Sequence, residues 1–175
     1  MAAKKIKGVT TYGSITGIYF RKILSTIVYV GELERPGLRV LDFGCGHGVL
    51  KASNPHIDIT GFDIVSALSE VDDWKQVAFE LVVSNEVFYS FSKQQLEQLL
   101  DEFKAYNNDM ELVVGISRQS SINKLGAILL GHVDAHGATK LSPREEKKVL
   151  LRHLNIVDRK TVWGLADVYR LKFKS

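Results

Sequence analysis

Two periodicities of apolar residues alternate along the 175-residue chain. Ile15, Ile18, Tyr19, Ile23, Ile27 and Val30 recur at the spacing of a helix with one buried face, and Ser14 stands near its start. Glu34-Arg35-Pro36-Gly37 reads as a turn, and residues 38–43 form an apolar run of strand length. Residues 49–53 predict a brief helix ended by Asn54-Pro55, and 57–62 alternate as a second strand that delivers Asp63 to its end. Residues from 64 to about 74 predict a short helix. Another buried strand over 79–83 ends in Ser84-Asn85-Glu86.

Two helix starts are written plainly. Ser92 is followed by Gln95, and Ser142-Pro143 by Glu145; each pair can cap a helix reciprocally, and proline suits the first helical position. The first of these helices carries the apolar stripe Leu96, Leu99, Leu100 and Phe103 and closes at Asn107-Asn108. Between them the pattern predicts a strand over 111–116 and a helix from about 121 to 130, ended by Gly131. The tail reads as strands over 156–162 and 167–173 that turn at Trp163-Gly164. Strand and helix alternate nearly throughout, which calls for an α/β fold with a mostly parallel sheet covered on both faces. The closing hairpin would add one antiparallel strand.

Length and composition suit one domain over 1–175, divided into an N-terminal helical cap (1–37) and a core (38–175). Hydrophobic residues make up 45% and charged residues 25%, as in an ordinary globular protein. A net charge of +3 does not by itself argue for nucleic acid or acidic lipid. The one cysteine, Cys45, excludes an internal disulfide framework and a cysteine-built zinc site, and it fits a reducing compartment. No secretory signal is visible, and the apolar region 15–30 is broken by Arg21, Lys22, Ser25 and Thr26, so no membrane span is expected. Cytoplasmic localisation is the expectation.

The chemistry starts where the first strand ends. Asp42 is followed by Gly44, Gly46 and Gly48 at alternate positions, with Cys45 and His47 between them. A buried strand there runs into a tight turn whose backbone can approach a ligand closely, because glycine allows positive φ and carries no Cβ. The helix that follows would point unsatisfied N–H groups at a polar group in the turn. A dinucleotide fingerprint places its third glycine one residue later, where this chain has Val49. Glycine-rich turns also occur without a ligand.

The pattern resembles the glycine motif of the class I S-adenosylmethionine-dependent methyltransferases, of which this would be a small, shortened member. The resemblance implies a Rossmann-like fold and S-adenosylmethionine as cofactor. It implies that Asp42 helps place the methionine amino group, and that the backbone around Gly44, Cys45, Gly46 and Gly48 holds the methionine and ribose. Asp63 is spaced to accept both ribose hydroxyls, with Ile64 beside it. By the same resemblance Ser84, Asn85 and Glu86 lie near the transferred methyl, Glu86 as a catalytic candidate.

One departure stands out. Only about fifteen residues separate Asp63 from Phe79, too few for the usual third strand and its flanking helices. That strand is expected to be missing or reduced to an extended loop, leaving Asp72, Asp73 and Trp74 as the candidates to edge or stack on adenine. His132 or His136 could be the base for an oxygen acceptor, with Asp134 orienting one of them; their spacing gives only a poor metal site, and no metal is expected. Tyr12 and Tyr89 are possible acceptor-lining residues.

Methyl transfer to a small-molecule acceptor, oxygen slightly favoured, is the first reading. An RNA- or protein-modifying methyltransferase is the alternative, motivated by Lys147, Lys148, Arg152, Arg159 and Lys160. A solvated helix face explains those residues more cheaply, so nucleic acid is not favoured. The third option is a non-catalytic binding protein on the same fold. The sequence does not indicate the acceptor or the oligomeric state.

Overall fold

Six strands, β1 (Arg39–Phe43), β2 (Asp58–Phe62), β3 (Leu81–Asn85), β4 (Glu111–Ser117), β5 (Leu154–Val162) and β6 (Ala166–Phe173), form one sheet in the order β2-β1-β3-β4-β6-β5. The computed structural model describes residues 15–118 and 140–175. The helix expected over 121–130, together with Tyr12, His132, Asp134 and His136, lies outside the described residues. The four strands β1 to β4 run parallel to one another, and β6 is antiparallel to both β4 and β5. This is the mostly parallel sheet with an antiparallel C-terminal hairpin that the sequence calls for.

Both faces are covered, which is why the inner strands read as unbroken apolar runs. Helix α1 (Ile15–Gly31) lays Ile23, Ile27 and Val30 against Val40, Leu81, Val83, Val113 and Val168. On the other face α3 (Lys93–Tyr106) and α4 (Pro143–His153) cover Leu41, Phe43, Val82, Leu112 and Val114. Leu96, Leu99, Leu100 and Phe103 of α3 are all buried, each contributing about 1.5–3 kcal/mol. Both expected capping boxes are present, Ser92 with Gln95 and Ser142 with Glu145. The brief α2 (Val49–Ser53) begins at Gly48 and ends at Asn54.

The strand order reverses between β1 and β3: the chain goes from β1 outward to β2, then crosses back to β3 on the other side. In an open sheet such a switch point leaves a crevice at the carboxyl ends of the two strands, the usual place for a ligand. Here the crevice is bounded by the glycine turn after β1 and by Ser84-Asn85-Glu86 at the end of β3.

Residues 64–73 depart from expectation. Instead of a helix they form a run of turns, with a short 3-10 turn at Trp74–Gln76. Local hydrogen bonds explain the difference. Asp63 accepts from the Val65 amide, and Ser69 Oγ accepts from the Asp63 amide and donates to the Val71 carbonyl. Such side chain to backbone bonds compete with the helical ladder. Outside β2 no further strand occurs among the described residues, so the third strand is missing as expected. Glu70 serves the bare edge instead: its amide donates to the Gly61 carbonyl at 2.9 Å and its carboxylate accepts the Gly61 amide at 3.0 Å.

Candidate active site

The glycine turn is held by its neighbours on β2. The amides of Gly44 and Cys45 both donate to the Phe62 carbonyl, at 2.7 and 3.1 Å. The φ angles of Gly44, Gly46 and Gly48 are 80°, 52° and 66°. Gly44 must also be bare for packing reasons, since a Cβ there would meet Val87 Cγ2 at 2.4 Å. Cβ atoms built on Gly46 and Gly48 would meet nothing within 4 Å, so those two residues present open backbone.

Asp63 reaches across from the end of β2. Its Oδ2 accepts the Gly46 amide at 2.9 Å and its Oδ1 accepts the Val65 amide at 2.9 Å. Asp42 is buried on β1, and burial, with Asp63 and Glu70 nearby, pushes its carboxyl up to about 7. The Cys45 side chain turns away, against Gly61, with its thiol donating to the Leu68 carbonyl at 3.5 Å. Burial pushes that thiol up to about 12, so it is no nucleophile. Ile64 is 94% exposed next to Asp63.

The end of β3 forms the other wall. Asn85 lies over Gly115, where a Cβ would come within 2.2 Å of Asn85 Oδ1. Glu86 has φ 57°, an uncommon backbone for a non-glycine residue. Its amide donates to the Gly115 carbonyl at 3.1 Å, and its carboxylate accepts the Ser117 amide. Burial nevertheless pushes the Glu86 carboxyl up to about 8. The carbonyl of Tyr89 accepts from the amides of Lys140 and Leu141, which docks the start of α4 beside this loop.

Two further titratable side chains feel the Glu86 charge. Glu146 is only 3% exposed, and burial followed by Glu86 pushes its carboxyl up to about 8. Tyr19 of α1 is raised to about 12, by burial first and by Glu86 second. The signal for Glu146 was present: it falls on the buried stripe of α4 with Val149 and Leu150, three and four residues on. Tyr19 carries no such signal, since a tyrosine on an apolar stripe reads as core.

Trp74 requires correction as an adenine-contacting candidate. Trp74 is 6% exposed and packs on Phe79, Phe103 and Tyr106, with ring centroids 4.8 to 6.0 Å away. A large aromatic gains more in that core than beside a solvent-facing loop. Asp73 caps the 3-10 turn by accepting the Lys75 amide at 3.0 Å. The basic residues near the C-terminus are largely engaged: Arg152 pairs with Glu97, Arg159 with Asp167, Lys147 lies over the Tyr169 ring and Lys160 over the Tyr29 ring. No described helix is long and apolar enough to cross a membrane.

A family model described as a methyltransferase domain matches residues 16–161, most of the chain. The chain belongs to the class I S-adenosylmethionine-dependent methyltransferases. Its fold is that of solved members of the family. It is similar to magnesium protoporphyrin IX methyltransferase from Synechocystis PCC 6803, solved with bound S-adenosylhomocysteine, at 13% identity and a TM-score of 0.63, over 99% of this chain and 90% of that one. It is similar to the N-methyltransferase NodS from Bradyrhizobium japonicum WM9 at 17% identity and a TM-score of 0.66, over 90% and 98% of the two chains. Human N-acetylserotonin methyltransferase matches at 15% identity and a TM-score of 0.56, over 99% of this chain and 61% of that one. No match was found among curated proteins.

Family membership gives the crevice a meaning. In this methyltransferase the turn after β1 offers bare backbone, Asp63 offers a carboxylate, and the β3 end offers partly or fully buried polar groups. Leaving a buried polar atom unpaired costs about 1–3 kcal/mol. Four such atoms occur among the described residues: the Tyr19 hydroxyl, Ser84 Oγ, Asn85 Oδ1 and Glu146 Oε1.

Proposed function

We propose that this methyltransferase acts on a small-molecule acceptor, with S-adenosylmethionine held in the crevice between the β1 turn and the β3 end. The observation that carries the reading is the Asp63 carboxylate, fastened to the glycine turn and to its own loop by one hydrogen bond on each oxygen. A carboxylate has roughly four acceptor sites, so lone pairs remain for the two ribose hydroxyls.

Bound there, the cofactor supplies a methyl group already activated by positive sulfur. The protein's part is to align the acceptor and exclude water. Gly44, Cys45, Gly46 and Gly48 contribute backbone to the methionine and ribose. Asp42 takes the methionine ammonium, a cation that relieves the crowding of Asp42 by Asp63 and Glu70. Ile64 offers apolar surface to the adenine, while Ser84 and Asn85 line the crevice near the methyl. An oxygen acceptor would draw on His132 or His136 as base. Among the described residues, Glu86 is the group at the β3 end suited to take a proton. The single thiol fits work in the reducing cytoplasm.

Calorimetric titration with S-adenosylhomocysteine tests the reading. Saturable binding that NAD does not compete for supports it, and NAD binding as tightly overturns it. Transfer of labelled methyl into the small-molecule fraction of a cell extract, and not into its RNA or protein, supports the acceptor class. Labelling confined to RNA or protein overturns it.

A further inference from the structure

With the third strand missing, β2 stands at the edge of the sheet. The Phe62 carbonyl faces β1 and accepts the Gly44 and Cys45 amides, whereas the Gly61 N–H and C=O face the bare side. Gly61 is buried, so both of its backbone groups need partners within the chain. Glu70 supplies the two together. Its carboxylate accepts the Gly61 amide at 3.0 Å, and its own amide donates to the Gly61 carbonyl at 2.9 Å.

This two-point hold fixes the neighbours of Glu70, and they in turn reach the cofactor crevice. The Ser69 hydroxyl, one residue earlier, accepts the Asp63 amide at 3.0 Å and donates to the carbonyl of Val71, one residue later, at 2.6 Å. The Leu68 carbonyl accepts the Cys45 thiol at 3.5 Å, and a Cβ on Gly61 would come within 2.9 Å of the same sulfur. Both carboxylate oxygens of Glu70 also meet Lys51 Nζ, at 2.8 and 2.7 Å, on the helix that starts at Gly48. The contacts around Glu70 therefore run to Asp63, to Cys45 inside the glycine turn, and to the helix behind that turn. Asp63 spends Oδ1 on the Val65 amide within the same loop, so the direction of its carboxylate follows the path of that loop.

We propose that Glu70 is a positioning residue for the ribose of the cofactor: its hold on Gly61 keeps residues 64–71 in the conformation that presents the Asp63 carboxylate to both hydroxyls. The inference rests on the cofactor reading of the glycine turn and goes beyond it by naming the residue through which Asp63 is placed. Glu70 acts through Gly61 and Ser69. Of its two side-chain anchors, the bond to the buried Gly61 amide outweighs the pair with Lys51, because the partners in that pair are each 44% exposed. One glutamate thus does for β2 what a neighbouring strand would do, and it does so at the residue opposite Asp42 in the strand register.

Calorimetry on the full chain tests this by comparing S-adenosylhomocysteine with its 2′-deoxy and 3′-deoxy forms. On the wild type each missing hydroxyl should cost about tenfold in affinity, because each bonds to a carboxylate. Glu70→Ala should weaken S-adenosylhomocysteine by about tenfold and shrink the cost of a missing hydroxyl to below about threefold. Glu70→Gln keeps an acceptor for the Gly61 amide and should stay within about threefold of wild type for every ligand. If Glu70→Ala does not fold, Ser69→Ala, which removes the acceptor of the Asp63 amide, carries the same comparison. Equal weakening of the three ligands by Glu70→Ala, or unchanged affinity, overturns the inference while the cofactor reading stands. Glu70→Gln losing as much as Glu70→Ala overturns it as well. A wild type that does not bind S-adenosylhomocysteine, or that binds the deoxy forms as tightly, overturns the cofactor reading itself, and the inference falls with it.

Discussion

The carboxylate of Asp63 accepts the amide proton of Gly46 at 2.9 Å, so the residue that ends β2 fixes the turn that follows β1. Phe43 and Phe62 are partners in the register of the two strands, which brings the two loops side by side. Asp63→Ala removes the acceptor proposed for the ribose and frees the turn at once. Hydrogen bonds to a charged group are worth about 1.5–3 kcal/mol each, so affinity for S-adenosylhomocysteine should fall at least about a hundredfold. The thermal midpoint should fall little, because both amide partners are near solvent. Calorimetric affinity equal to wild type would refute the assignment.

Gly44→Ala should destabilise the fold through two separable effects. The left-handed backbone costs a residue with a Cβ about 1–2 kcal/mol. The overlap with Val87 Cγ2 at 2.4 Å adds about 1–3 kcal/mol of overpacking. Urea denaturation measures the sum. Adding Val87→Ala makes room for the new methyl, so the double variant should show less than the summed loss of the two singles. Strict additivity would show that the two positions are not in contact as described.

Much of this was legible before any coordinates. The β1 and β2 strands, α2, both capping boxes and the final hairpin follow from local chemistry: period, turn residues and caps. The glycine turn and Asp63 were legible for the same reason, since both belong to one strand-turn pattern. The segment after Asp63 was not. A short helix was expected there, but Ser69 and Asp63 bond to backbone, and Glu70 covers Gly61 on a bare strand edge. Nothing local announces that pairing, because the missing strand creates the need for it. Glu146 illustrates the converse case. Its place on a buried stripe was readable, whereas the charge that acts on it lies sixty residues earlier at Glu86.

Trp74 offers a direct check on where adenine does not bind. Its ring is enclosed by Phe79, Phe103 and Tyr106, so Trp74→Ala should leave a cavity and cost about 3–5 kcal/mol. Under conditions where the variant remains folded, its affinity for S-adenosylhomocysteine should match wild type. Retained stability with lost affinity would return Trp74 to the cofactor site.

The buried carboxyls give stability an unusual pH dependence. Glu86 and Glu146 are raised from 4.5 to about 8, and Asp42 from 3.8 to about 7, all chiefly by burial. Between the ordinary and the raised values the folded protein holds protons that the unfolded chain has released. Their contribution is therefore complete below about pH 4 and is lost as pH rises through 7 and 8. Asp167 acts in the opposite sense. Arg118, Thr161 and Arg159 hold its carboxyl down at about 2 from 3.8 despite its burial, so its contribution is present above 3.8 and is lost as pH falls through 2. The two effects place the most stable range in weakly acidic solution. The urea midpoint of the protein without cofactor should be higher at pH 5 than at pH 9, and Glu146→Gln should flatten that decline by removing one of the protons concerned. A midpoint that climbs steadily from pH 5 to pH 9 would mean that Glu86 and Glu146 are solvated or paired with cations.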